Sequence, residues 1–147
     1  MIALACDHGG FEYIGAVKDY LDNAGLAYKD FGTYSSESCD YPVITIPAAH
    51  AILNGECDRG ILICGTGIGV SIAANKIPGI RAALCTDCYM ADMARSHNDA
   101  NILALGARVI DKDLAIRIID IFLNTEFSGT ERHLRRVNQL KEIDDRK

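Results

Sequence analysis

Short apolar runs alternate with helix-spaced stretches along the whole chain, and that alternation predicts strands interleaved with helices. Ile2 to Cys6 is an apolar run that ends in Asp-His-Gly-Gly, a strand and its turn. Phe11 to Asn23 has helical spacing and stops at Ala24-Gly25, with glycine as the C-terminal signal. Leu26 to Phe31 reads as a second strand. Pro42 suits the first turn of a helix that runs to about Leu53 and ends at Asn54-Gly55. Pro47 lies inside that span and should kink the helix or delay its start. Gly60 to Cys64, apolar on both faces, is a third strand; Gly65 to Gly69 is a glycine-rich turn, and a helix follows from about Val70 to Lys76. Arg81 to Cys85 and Asn101 to Leu105 are the fourth and fifth strands, with a helix from Asp87 to Ser96 between them. A long apolar helix runs from Asp111, its N-cap, to Asn124, and a charged helix spans Glu131 to Ile143. No linker, repeat or low-complexity stretch interrupts the pattern, so residues 1–147 form one domain. Strands that alternate with helices pair in parallel and carry helices on both faces, a three-layer α/β/α sandwich of Rossmann-like type.

In such folds ligands bind at the carboxyl ends of the strands, and three strand ends carry chemistry. The first ends in Asp7-His8. The loop after the second carries Asp40-Tyr41. The third ends in Cys64-Gly65-Thr66-Gly67-Ile68-Gly69. Those glycines let backbone N–H groups approach a ligand, and with the following helix N-terminus they favour a developing negative charge. The loop lacks the Lys-Ser/Thr of a P-loop, and no acidic residue on a following strand is placed to hold a ribose, so a nucleotide reading is poor. A thiol at a helix N-terminus ionises readily, so Cys64 could act as a base or as a nucleophile; position alone does not separate these from a cysteine buried at a strand end. His97 and Asn98 follow a helix and precede the fifth strand. His50 reads as structural, and His133 lies in a basic cluster with Arg132, Arg135 and Arg136. Arg132 and Arg136 are one helical turn apart and share a face, which suits a phosphate clamp, and Arg108 could add a third cation.

Composition narrows the classes. The chain has 147 residues, 49% of them hydrophobic, enough for a sizeable core. Its formal net charge of -5, with both signs interspersed, offers no basic face for nucleic acid. No apolar run approaches the roughly 20 residues of a membrane span, and the N-terminus reads as a strand, not a signal peptide; a cytosolic enzyme is expected. The six cysteines are expected to be reduced. Cys85 and Cys88 form a C-T-D-C pair, but no second C-x-x-C and no paired histidines accompany it, so no zinc site is expected.

C-D-H-G-G-F after the first strand, D-Y-P after the second and C-G-T-G-I-G-V-S-I-A-A-N-K after the third together resemble the type B ribose-5-phosphate isomerases, as do S-H-N-D-A-N-I-L-A-L-G-A-R and E-R-H-L-R-R-V. That family also includes galactose-6-phosphate and allose-6-phosphate isomerases. The match spans nearly the whole chain, in order and at consistent spacing. The resemblance implies a five-stranded parallel sheet, an aldose-ketose isomerase working on a phosphorylated sugar without metal or organic cofactor, and a homodimer, or a tetramer built from it, with sites at the subunit interface. It implies that Cys64 shuttles the proton between C1 and C2 and that Thr66 supports the base and ring opening. Asp7 and His97 would open the sugar ring, with Tyr41 lining the pocket. Asn98 and the backbone of Gly65, Thr66, Gly67, Ile68 and Gly69 would stabilise the enediolate. His8, Arg108, Arg132 and Arg136 would hold the phosphate. Another branch of the family uses a glutamate as base where this chain has Val70, which leaves Cys64.

Two rival readings remain: an isomerase of a six-carbon aldose phosphate, and a non-catalytic flavodoxin-like module, which would not need Cys64, His97 and the arginines together. Topology adds a constraint on the site. Asp7, Tyr41 and Cys64 follow strands, whereas His97 and Asn98 precede one. A five-residue strand separates those edges by roughly 17 Å, so a neighbouring subunit is expected to supply His97.

Overall fold

The computed structural model describes residues 1–146; Lys147, at the end of the predicted domain, lies outside the described residues. Five parallel strands, β1 (Ile2–Cys6), β2 (Tyr28–Asp30), β3 (Arg59–Cys64), β4 (Ala82–Leu84) and β5 (Ile102–Gly106), form one sheet in the order β2-β1-β3-β5-β4. Six helices alternate with or follow them: α1 (Phe11–Asn23), α2 (Tyr41–Leu53), α3 (Ile68–Asn75), α4 (Cys88–Ser96), α5 (Lys112–Asn124) and α6 (Glu131–Asp144). The order reverses between β1 and β3: the chain leaves β1 outward to β2, then returns past it to β3. That reversal opens a crevice at the carboxyl ends of β1 and β3.

Strands β1 and β5 are buried along their whole length, as is β3 beyond Arg59, because helices cover both faces. Leu4, Cys6, Ile61, Ile63, Leu103 and Leu105 point to one face, where they pack with Val17, Leu21, Ile118 and Phe122. Ala3, Ala5, Leu62, Cys64 and Ala104 point to the other, against Ala48, Ala49, Val70 and Ala74 of α2 and α3. The second face is built from small side chains, which lets α2 and α3 lie close to the sheet beside Cys64.

The edges depart from the sequence pattern. β2 holds only Tyr28–Asp30 of the expected Leu26–Phe31, and β4 only Ala82–Leu84 of Arg81–Cys85. Each pairs on one side alone, with β1 and β5 respectively. The Asn75 amide closes the free side of β4, donating to the Ala82 carbonyl at 2.9 Å and accepting its N–H at 2.8 Å. Pro47 does not delay α2, which already begins at Tyr41. α3 starts two residues earlier than expected, because Gly67, in the left-handed region at φ +79°, turns the chain into the helix at Ile68. Asp111 caps α5 as expected, its side chain accepting the Leu114 N–H at 2.7 Å. Asp87 likewise caps α4 through Met90 instead of opening the helix itself.

Candidate active site

Cys64 is the last residue of β3 and is 4% exposed. Its Sγ accepts the Gly67 N–H at 3.1 Å. Gly67 is the N-cap of α3, so the sulfur lies at a helix N-terminus. A side chain at Gly67 would place Cβ 2.4 Å from Leu84 Cδ1 and 2.9 Å from the Leu105 carbonyl carbon. Only glycine gives both the turn and the close approach there. The Ile68 N–H donates to Thr66 Oγ1 at 3.2 Å, and Thr66 is exposed. Two N–H groups of the loop are therefore committed to holding Cys64 and Thr66. Those of Gly65 and Thr66 donate to no protein acceptor among the described residues, and with the first turn of α3 they form the available oxyanion donors.

Asp7 stands beside this loop at the end of β1. Its Oδ1 accepts from the N–H groups of Gly9 at 2.8 Å and Gly10 at 3.2 Å, which fixes the turn. Among the described residues its Oδ2 takes no hydrogen bond, so one oxygen of a carboxylate only 6% exposed is left for a ligand. A Cβ at Gly9 would lie 2.8 Å from the Gly65 nitrogen, which measures how closely the two loops meet. His8 Nδ1 accepts the Cys39 N–H at 3.2 Å; in the neutral ring the proton then sits on Nε2, which is free to donate. The same bond ties the loop before α2 to the end of β1. Tyr41, the first residue of α2, lays its ring on Gly69, where a Cβ would meet it at 2.9 Å. Arg108, just beyond β5, drapes over Gly65, with Nη1 2.9 Å from a Cβ built there, while its N–H donates to the Gly65 carbonyl at 2.9 Å. The structure thus brings together Asp7, His8, Tyr41, Arg108 and residues 64–69.

It does not bring His97, Asn98, Arg132 or Arg136 to them. His97 caps the C-terminus of α4, and Asn98 gives its carbonyl to Arg81 Nε at 3.3 Å, at the entry to β4. They lie at the amino edge of the sheet. There His97 stacks on His133 of α6, with ring centroids 4.0 Å apart and planes 17° from parallel. His133 is buried, and desolvation, His97 and the Arg132 and Arg136 guanidiniums hold its pKa below the usual histidine range. Arg132 and Arg136 are exposed on either side of it. The candidate residues thus fall into two groups at opposite edges of one sheet.

Sequence reasoning did not assign His133, nor Arg81, Arg95 and Asp99 around the His97 turn. The one-turn spacing of His133 to buried Val137 is the signal that places it inward. Among the described residues no group of three or more His, Cys, Asp or Glu side chains is placed to hold a metal ion. No helix there is long and apolar enough to cross a membrane.

Residues 2–140 match the family described as Ribose/Galactose Isomerase. The chain is 46% identical over 146 residues to ribose-5-phosphate isomerase B of Escherichia coli strain K12, covering 99% of this chain and 97% of the relative. It is also 46% identical over 129 residues to D-erythrulose-4-phosphate isomerase of Pectobacterium atrosepticum, covering 87% and 85%. Its fold matches the structure of ribose-5-phosphate isomerase B from Clostridium thermocellum with a TM-score of 0.96 at 54% identity, over 99% of this chain and 97% of that one.

Proposed function

Because this chain belongs to the ribose/galactose isomerase family, we propose that it interconverts ribose 5-phosphate and ribulose 5-phosphate, with Cys64 moving the proton. The observation that carries the reading is the Cys64 sulfur at the head of α3, held by the Gly67 N–H, in a loop whose Gly65 meets Gly9 of the Asp7 turn. In the open-chain sugar the Cys64 thiolate removes the proton from C2. The electron pair moves into the C1–C2 bond and the aldehyde oxygen becomes an enediolate oxyanion. The free N–H groups of the glycine loop serve that charge; one such donor lowers the barrier by about 3 kcal/mol. The thiol then returns its proton to C1 while the C2 hydroxyl proton passes to O1, so that C2 becomes the carbonyl and the ketose forms. Asp7, through Oδ2, and His97 act on the ring hydroxyl and ring oxygen to open the sugar, with Thr66 beside them and Tyr41 against the pocket wall. Asn98 supports the enediolate, while His8, Arg108, Arg132 and Arg136 receive the phosphate, whose binding energy positions the reacting carbons.

The two half-sites support a shared site in a homodimer: one subunit supplies Asp7, His8, Tyr41, Cys64 and Arg108, its partner His97, Asn98, Arg132 and Arg136. An apolar surface beside the glycine loop supports the same assembly. Val43, Ile46, Ile68 and Ile72 of α2 and α3 are 69%, 45%, 51% and 53% exposed, a patch that a second copy would cover. The six cysteines are free, which suits a reducing cytoplasm.

A second reading has its own observation, since a relative of equal identity is named for a four-carbon sugar phosphate. Measuring kcat/KM with four-, five- and six-carbon aldose phosphates separates the readings. Ribose 5-phosphate should be the best of the series, and a larger value for another chain length would reassign the substrate.

A further inference from the structure

The turn that carries His97 and Asn98 is gripped far more tightly than a helix end requires. Asp99, the next residue, adopts φ +47°, which glycine would supply at less cost. Its side chain shows why it is not glycine. Oδ1 accepts from Arg95 Nη1 at 3.0 Å and Oδ2 from Arg81 Nη2 at 3.3 Å. Arg81 Nη2 and Nε also donate to the Asp99 carbonyl at 2.8 and 3.1 Å, and Nε to the Asn98 carbonyl at 3.3 Å. Arg95, 5% exposed, is rooted by the carbonyls of Ala100 at 2.5 Å and Thr125 at 3.2 Å and lies over the Phe122 ring. Arg81 is rooted by its backbone N–H to Asn101 Oδ1 at 2.8 Å. Meanwhile the Asn98 side chain takes no hydrogen bond among the described residues and is exposed. The backbone is clamped while the side chain it displays is left free.

We infer that Asp99, bridging Arg81 and Arg95, is a positioning residue that fixes His97 and Asn98 in the orientation in which they complete the partner subunit's site. This rests on the shared-site reading above. A helix-ending turn alone would be served by glycine, so Asp99→Gly separates the roles: it keeps the backbone freedom and removes the carboxylate that bridges Arg81 and Arg95. The variant, assayed with ribose 5-phosphate, should lose about tenfold or more in kcat with KM changed less than about threefold, as expected for misplaced groups that do not hold the phosphate. Refolded in mixture with Cys64→Ala it should regain activity, because one site of the mixed dimer then draws every group from an undamaged half. Refolded with His97→Ala it should regain none, because both lesions lie on the same half. If Asp99→Gly does not fold, Asp99→Asn, which tolerates the left-handed backbone but lacks the charge, takes its place in all three measurements. Wild-type kcat, or recovery with His97→Ala, overturns the positioning role while leaving the shared site standing. If Cys64→Ala and His97→Ala fail to restore each other, the shared site is wrong and this inference falls with it.

Discussion

Cys6 and Cys64 end neighbouring strands, yet their thiols meet opposite surroundings. Burial, with the nearby Asp30 carboxylate, pushes Cys6 up to about 12, and its S–H points to the Thr33 carbonyl. Burial and Asp87 push Cys85 up to about 12 as well, and burial raises Cys57. Cys64 instead receives an N–H at its sulfur. A thiol of pKa about 12 is only about one part in ten thousand thiolate at pH 8. Iodoacetamide at pH 8 should therefore modify Cys64 and spare Cys6 and Cys85, and a sugar phosphate should protect Cys64. Peptide mapping checks this; loss of activity that tracks Cys6 or Cys85 instead would contradict it. In the C-T-D-C pair, Cys85 belongs to the core beneath α4 and Cys88 packs against that same core.

At the scale of elements, α6 shows what a sequence reveals and what it conceals. Its basic stripe and the turn spacing of Arg132 and Arg136 were legible, and both side chains are exposed. The inward turn of His133 was fainter: its one-turn spacing to Val137 was the signal, and its packing partner, His97, is seen only in the fold. If Arg132 and Arg136 hold the phosphate, Arg132→Ala and Arg136→Ala should each raise KM by about ten- to a hundredfold, the loss of a charge-assisted bond. The effect should weaken with inorganic phosphate present in competition, and unchanged KM in both variants would return the face to ordinary solvated surface. The strands tell a similar story. Central β1, β3 and β5 were recovered within a residue because burial on both faces demands an unbroken apolar run. The edge strands were drawn too long: Leu26 gives its N–H to the Leu21 carbonyl in the turn after α1, and beyond Leu84 the β4 ladder runs out with the bond from the Cys85 N–H to the Ala104 carbonyl. The delayed start that Pro47 suggested does not occur either: a helix held to the sheet by Ile44, Ala48, Ala49 and Ala51 runs through one missing N–H.

At the scale of the molecule, the strand order sorts the candidate residues into two groups at opposite edges of the sheet. The glycine loop and Asp7 could be read directly, because each follows a strand. That His97 and Asn98 belong to a different edge followed only from counting which side of a strand they precede, whereas the place of Arg132, on the final helix, emerged only with the fold. The grip of Arg81 and Arg95 on Asp99 was invisible without coordinates, since it joins positions up to 18 residues apart. A shared site predicts complementation. Cys64→Ala and His97→Ala proteins, refolded together, should form mixed dimers in half the population, each with one intact site, and so recover about a quarter of wild-type activity. No recovery, with mixed dimers shown to form, would mean self-contained sites. The claim beneath all of this is that Cys64 moves the proton, and hydrogen exchange reads that step without waiting for turnover. Ribulose 5-phosphate incubated in deuterated water with the enzyme should take up deuterium at C1 as the enediolate forms and collapses. Cys64→Ala should bind the sugar with nearly unchanged affinity and show no exchange above the uncatalysed rate, whereas exchange at the wild-type rate in Cys64→Ala would contradict the account.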